Sequence, residues 1–330
     1  MKLFLAILFS ILVCSVAIAQ NDNPTIKIEA LQITTASSAE GTTAQVNTWK
    51  QQTQQQPQDA GAWLNYYNWL DRSKEIDLPE KKSQLNSIVA SSGKYIAGSW
   101  QYALMLFLQS GKRDSASLFT AMDRSADKKT LYPYAIQYAA IQHDEKKLME
   151  YCSALNDAAP LSTSLQEYHR NVLMSAEKNA DIYAKGLHDL VPMLVLQQVY
   201  QVRRDIHLRY YEDEVIETGN TYLCLSLGQD LLQKFPDAGY TGLLVKAGDK
   251  TSFPELEKHL LHFSLSYLQT ATGLPADEKL IYRNYLPSII LLYKNYKTKN
   301  DPKADRWKQI LLKLAEMTET GETINKIIAP

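Results

Sequence analysis

The chain is poor in cysteine, with three in 330 residues, at positions 14, 152 and 224. That excludes a disulfide-stapled scaffold and any Cys-x-x-Cys redox or zinc pair. Charge of one sign is missing too. With 35 basic and 36 acidic residues the formal net charge is −1. A nucleic acid or an anionic membrane surface, which calls for a basic patch or stripe, is therefore not an expected partner. Beyond residue 19 no run reaches the roughly 18 uninterrupted apolar residues that span a bilayer. There is no glycine-rich phosphate loop, no Gly-x-Ser-x-Gly elbow and no acidic calcium loop. The expectation is a protein with no catalytic residue, cofactor or metal. Only an enzyme whose residues converge from distant parts of the chain is left open.

The N-terminus is more informative. Met1-Lys2 supplies a positive start, Leu3 to Val16 an apolar core, and Ala17-Ile18-Ala19 a small-x-small cleavage site. Residues 1–19 thus read as a secretory leader, and the expected destination is the periplasm. Cys14 raises a lipid anchor, but Val13 stands where a small residue belongs and the apolar run continues past it, so ordinary cleavage is the reading. Removing the leader takes away Lys2 and no acid, which shifts the net charge from −1 to −2. Cys152 and Cys224 would meet an oxidising compartment, and they read as two separately buried thiols, with a bridge as the alternative. The 20 tyrosines suit helix seams first and carbohydrate or peptide surfaces second.

Residues 20–56 are rich in Thr, Ser, Ala and Gln and read as a flexible tether, with Ile26 to Thr34 as a possible short edge strand. Residues 57–176 read as helical hairpins. Asp59 is placed to cap a helix whose Trp63, Tyr66, Tyr67 and Leu70 share one face. Tyr95 to Gln109 and Asp114 to Met122 flank a turn at Gly111, and Leu131 to Gln142 and Glu145 to Leu155 flank one at His143. Those turns lie 32 residues apart, and Trp63 and Trp100 lie 37 apart, bracketing the tetratricopeptide period of about 34. Leu165 to Ser175 adds a further helix.

The texture changes over residues 177–250. Asp181 to Ala184 reads as a strand ending in the turn at Gly186. A helix from Met193 to Tyr200 follows with Pro192 in its first turn, and Asp205 to Tyr210 alternates as a second strand. Thr221 to Leu227 and Tyr240 to Lys246 read as two more strands around a short helix, Gln229 to Lys234. Residues 251–330 close the chain with helices at Phe253 to Thr270, Tyr282 to Lys297 and Arg306 to Thr318, and a tail that frays after Gly321. The predicted class is mainly α: tetratricopeptide-like hairpins, a small α/β segment with parallel strands, then closing helices.

Several stretches carry a resemblance. They are Trp63-Leu64-Asn65-Tyr66-Tyr67, Tyr168-His169-Arg170-Asn171 running to Ser175, Gly186-x-His188-Asp189-x-x-Pro192, Leu196-Gln197 with Val202 to Ile206, and Asn284-Tyr285-Leu286-Pro287 with Leu291-Leu292-Tyr293. In this order they resemble an exported bacterial family of tetratricopeptide-like proteins. That family's α/β segment is similar to the soluble C-terminal region of uncharacterised multi-pass membrane proteins related to protein O-mannosyltransferases. Its turn usually reads Gly-Asp-Asn-Asp-Thr-(Tyr/Phe)-Pro. Gly186, Asp189 and Pro192 match; Leu187, His188 and Leu190 replace the first Asp, the Asn and the Thr.

Two functional expectations follow. In the first, the protein is a non-catalytic envelope scaffold or adaptor that binds a protein partner through Trp63, Tyr66, Trp100 and Tyr102. In the second, the resemblance implies a glycan- or nucleotide-sugar-related module centred on the Gly186–Asp189 turn, with His188, Asp189 and Arg203 as ligand contacts. A helix N-terminus after a strand favours anions there; the plainer reading has Asp189 capping the helix and Arg203 in a local ion pair. Glu255, His259 and His262 share one helix face but lack a third anchor, and they read as a solvated face rather than a metal site.

Overall fold

A computed structural model describes residues 39–73, 76–211, 215, 219–232, 234–235, 237–270 and 273–329. The leader with Cys14, the first half of the tether and the strand expected at Ile26 to Thr34 lie outside the described residues. The described chain is mostly helical, with a small mixed sheet in the middle and helices after it.

The second half of the expected tether is a helix, α1 (Ala39–Gln55), packed on α2 (Ala60–Arg72). Its composition is polar, yet Val46 lies on the apolar cluster built from Trp63, Tyr67 and Leu70, and a helix needs only one such stripe to dock. Asp59 caps α2 by accepting from the Ala62 N–H at 3.0 Å. α3 (Leu78–Ile96) and α4 (Trp100–Gln109) divide the helix expected from Tyr95 onward. Ser99 breaks it, taking the cap position and accepting from the Tyr102 N–H. α4 pairs with α5 (Ser115–Arg124), and α6 (Tyr132–Ile141) pairs with α7 (Glu145–Ala158).

α8 (Thr163–Met174) then leads into β1 (Asp181–Ala184), α9 (Leu187–Gln198) and β2 (His207–Tyr210). β3 (Thr221–Cys224), a four-residue helix α10 (Gln229–Leu232), β4 (Gly239–Tyr240) and β5 (Leu244–Lys246) complete the sheet, in the order β2-β1-β3-β5-β4. β1 is parallel to both β2 and β3, pairing Ile182 with Leu208 and Tyr222. The strand expected from Tyr240 to Lys246 is instead an antiparallel hairpin. Gly242 turns it at φ +112°, a conformation open to glycine.

The closing helices are α11 (Phe253–His262), α12 (Ser266–Thr270), α13 (Ala276–Tyr282), α14 (Leu286–Thr298), α15 (Lys303–Thr318) and α16 (Gly321–Ile328). The single helix expected from Phe253 to Thr270 breaks at Ser264 because the Asn171 amide clamps that backbone. Asn171 Nδ2 donates to the Ser264 carbonyl at 2.7 Å, and the Ser264 N–H donates to Asn171 Oδ1 at 3.1 Å. The tail does not fray. Ile324 is fully buried, and Lys297 Nζ donates to the Ala329 carbonyl.

Cys152 and Cys224 are buried free thiols in the largest apolar cluster. Burial pushes the Cys152 thiol up to about 12, so neither position behaves as a reactive thiolate. No helix among the described residues is long and apolar enough to cross a membrane.

Candidate functional site

The Gly186 turn stands at a topological crossing point. β1 lies between its two parallel neighbours, and the chain leaves it through α9 to reach β2 on one side before returning to β3 on the other. In open α/β sheets the crevice beyond the carboxyl ends of strands at such a point is where ligands bind. Here it is bordered by Lys185 and Gly186 after β1 and by Ser226 and Gly228 after β3. Gly186 adopts φ +84°, and a Cβ there would meet nothing within 4 Å; backbone conformation, not crowding, selects the glycine.

α9 begins at Leu187, well before the expected Met193, so Pro192 sits in its second turn rather than its first. A proline there has no N–H for the carbonyl four residues back, which is His188. The missing donor comes from another helix. His169 on α8 is fully buried, and its Nε2 lies 3.0 Å from the His188 carbonyl oxygen. Its Nδ1 lies 2.9 Å from the Leu165 carbonyl, which already accepts the helical N–H of residue 169. Burial lowers the imidazole to about 4, so the neutral ring has one proton, and the His188 carbonyl, which Pro192 deprives of its helical N–H, is where it is needed. His169 therefore donates through Nε2.

Asp189 is not the N-cap of α9; Gly186 holds that position and no side chain caps the helix. The carboxyl is 7% exposed. Burial raises it to about 6, against the lowering effect of a hydrogen bond from Ser226. The Tyr168 phenol and the Cys224 thiol both feel that carboxylate, and both are pushed up chiefly by their own burial. The His188 side chain is exposed.

Arg203 does not join this turn. It precedes β2, at the amino edge of the parallel strands, whereas the Gly186 turn lies at their carboxyl edge, a strand length of about 13 Å away. Its guanidinium is fully engaged there. Nε and Nη2 donate to the Asp205 carboxylate at 2.9 Å each. Nη1 reaches the carbonyls of Leu173 and Ala176, and Nη2 that of Glu177. The hydrogen bond from Arg203 holds the Asp205 carboxyl down at about 2. Arg203 thus fastens the end of α8 to the sheet; the local ion pair, not the anion clamp, is what forms.

The aromatic residues expected to face a partner are mostly committed to helix seams. Trp63 is buried, with its indole N–H donated to the Pro57 carbonyl at 2.8 Å. Tyr66, Trp100 and Tyr102 are half-buried against neighbouring helices. Tyr102 lies so close over Gly93 that a Cβ there would come within 2.8 Å of its hydroxyl. Tyr95, 53% exposed, faces outward, as does Tyr200, which follows α9 in sequence. With Gln56, Pro57, Gln58 and Asp59, Tyr95 lines an open cleft of about 500 Å³.

His259 and His262 do not converge on a metal. The His259 ring meets the Met174 carbonyl and His262 the Lys258 carbonyl. No group of three or more His, Cys, Asp or Glu side chains is placed to hold a metal ion among the described residues. No family model, no curated protein and no solved structure matches the chain.

Proposed function

We propose that this protein is an exported, non-catalytic scaffold that binds a protein partner in the cell envelope. One observation carries the reading: Asp189 and Arg203, two of the side chains expected at a ligand, are spent on the fold, as is the buried His169. His169 serves the His188 carbonyl, Asp189 pairs with Ser226, and Arg203 holds Asp205 and three carbonyls. The stacked helix pairs meanwhile leave Tyr95 outward beside the open cleft. An exposed aromatic next to side-chain amides and a carboxylate suits a polypeptide surface. The Tyr95 face replaces the buried Trp63 seam as the docking surface.

A second reading is favoured by the sheet topology. The Gly186–Asp189 turn lies at the crossing point of the parallel strands, and that placement supports a glycan- or nucleotide-sugar-related ligand there. One experiment separates the two. Crosslinked partners are recovered from native envelope with wild type, Tyr95→Ala, and a His188→Ala, Asp189→Asn double variant. The scaffold reading expects a discrete partner that survives the double variant and is lost with Tyr95→Ala. Loss in the double variant alone, with a melting temperature no lower than that of wild type, would transfer the function to the turn.

A further inference from the structure

Two glutamates are buried together with no basic partner. Glu167 on α8 is 6% exposed and Glu278 on α13 is 4% exposed, and neither forms a salt bridge among the described residues. A buried carboxylate is ordinarily paired or bound to a cation, because an isolated charge loses its hydration without compensation. Lys279 pairs with Glu319, and Arg283 donates through Nε and Nη2 to the Thr318 carbonyl.

Ser162 and Ser164 hydroxyls donate to the two oxygens of Glu278. Ser164 and Glu167 are three apart on α8 and so lie on one face, which puts Glu278 and Glu167 against the same side of that helix. The hydroxyls of Ser264 and Ser266 and the Tyr267 N–H all donate to Glu167 Oε2. The other oxygen, Oε1, is buried with no hydrogen-bond partner among the described residues. The Tyr282 phenol registers both carboxylates; its own burial, then Tyr285, Glu167 and Glu278, push it up.

We infer that Glu167 Oε1 and the Glu278 carboxylate form a site for a hard divalent cation, with Ca²⁺ as the fitting ion. The donors on hand are all oxygen, as Ca²⁺ prefers, and its coordination of six to eight can be completed by serine hydroxyls and water. The hydroxyl hydrogens rotate freely, so Ser162 and Ser164 can present lone pairs once the carboxylate charge is taken by the ion. Two carboxylates from α8 and α13 would then be drawn together by one cation, tying the junction to the closing helices. This inference stands apart from the scaffold reading and from the Gly186 turn.

Terbium reports on the site, because Tyr267 donates its N–H to Glu167 and Tyr282 its hydroxyl to the Ser164 carbonyl, which brings tyrosine rings close enough to sensitise its emission. Chelator-treated full chain is titrated with Tb³⁺ under tyrosine excitation, then with Ca²⁺ as competitor, and its melting temperature is read with Ca²⁺ against Na⁺ at equal ionic strength. The expected result is tyrosine-sensitised emission displaced by Ca²⁺ and a rise in melting temperature specific to Ca²⁺. Glu167→Gln and Glu278→Gln should each lose both signals while melting cooperatively without calcium. Absence of sensitised emission and of the calcium increment in wild type overturns the inference, whether or not the variants fold. So does an increment that persists in both variants.

Discussion

From α1 to the start of α6 the chain is held by apolar seams; from there onward it is held by an apolar core threaded with buried polar groups. The first region divides its core into small clusters, one around Trp63, Leu70 and Ile88 and another around Leu104, Phe107 and Leu131. Buried polar residues there are chiefly hydroxyls such as Ser92, bonded to its own helix at the Val89 carbonyl. The second region has one large cluster in which Glu167, His169, Asn171, Asp189 and Gln197 are all buried. Gln197 ties the carbonyls of Arg203 and Ile206, and Asn284 donates to the Tyr168 hydroxyl. Seams tolerate exchange of one apolar shape for another. A polar network specifies partners, and each broken bond leaves a buried group unpaired.

The largest effect should come from the seams. Trp63→Ala removes a buried ring and a hydrogen bond and is expected to cost about 3–5 kcal/mol, measured by urea unfolding. Tyr95→Ala, on the exposed face, should stay within about 0.5 kcal/mol. A large loss at Tyr95 would erase the distinction between seam and surface. Arg203→Ala comes next, at about 2–4 kcal/mol. It frees three carbonyls and the Asp205 carboxylate, and Arg203→Lys should recover only part because one ammonium cannot replace the fork.

In the junction, charge acts against the fold. Asp189 is raised from 3.8 to about 6, so its native state holds the proton more tightly than the unfolded chain. Its contribution is present below pH 3.8 and is lost as pH rises through 6. Keeping it ionised at neutral pH costs about 3 kcal/mol by linkage. Asp189→Asn should therefore stabilise the protein at pH 7.5 by about 1–3 kcal/mol, and destabilisation there would contradict this account. His169 is lowered from 6.5 to about 4. Its contribution is complete above pH 6.5 and is lost as pH falls through 4. The two slopes are of opposite sign over nearly the same window and should largely cancel in wild type. Asp189→Asn should expose the histidine slope, with stability rising between pH 4 and 6.5 by up to about 3 kcal/mol.

The difference between the regions also explains what could be read from the sequence. The helix pairs were legible because periodicity and caps are local: Asp59 caps where expected, and Asp114 and Asp144 cap the helices that follow the turns at Gly111 and His143. The strands at Asp181, His207 and Thr221 showed by the same local pattern. The break at Ser264 was not visible, since it depends on Asn171, 93 residues away. Nor was the early start of α9, since Pro192 is tolerated in its second turn only with a donor from His169. Of the candidate site, Gly186 and Asp189 were legible as a turn. The Ser226 partner and the separation of Arg203 were not, because sheet order decides both.

The central claim is that the junction's polar residues serve the fold, and the pairing of Pro192 with His169 is its sharpest case. The measurement is a double-mutant cycle on unfolding free energy with His169→Phe, Pro192→Ala and both together. Pro192→Ala restores a backbone N–H for the His188 carbonyl, which makes the imidazole donor redundant. The account predicts that His169→Phe is less damaging in the Pro192→Ala background, with a coupling of about 1–2 kcal/mol. Strict additivity of the two substitutions would show that His169 does not serve that carbonyl, and would contradict the account.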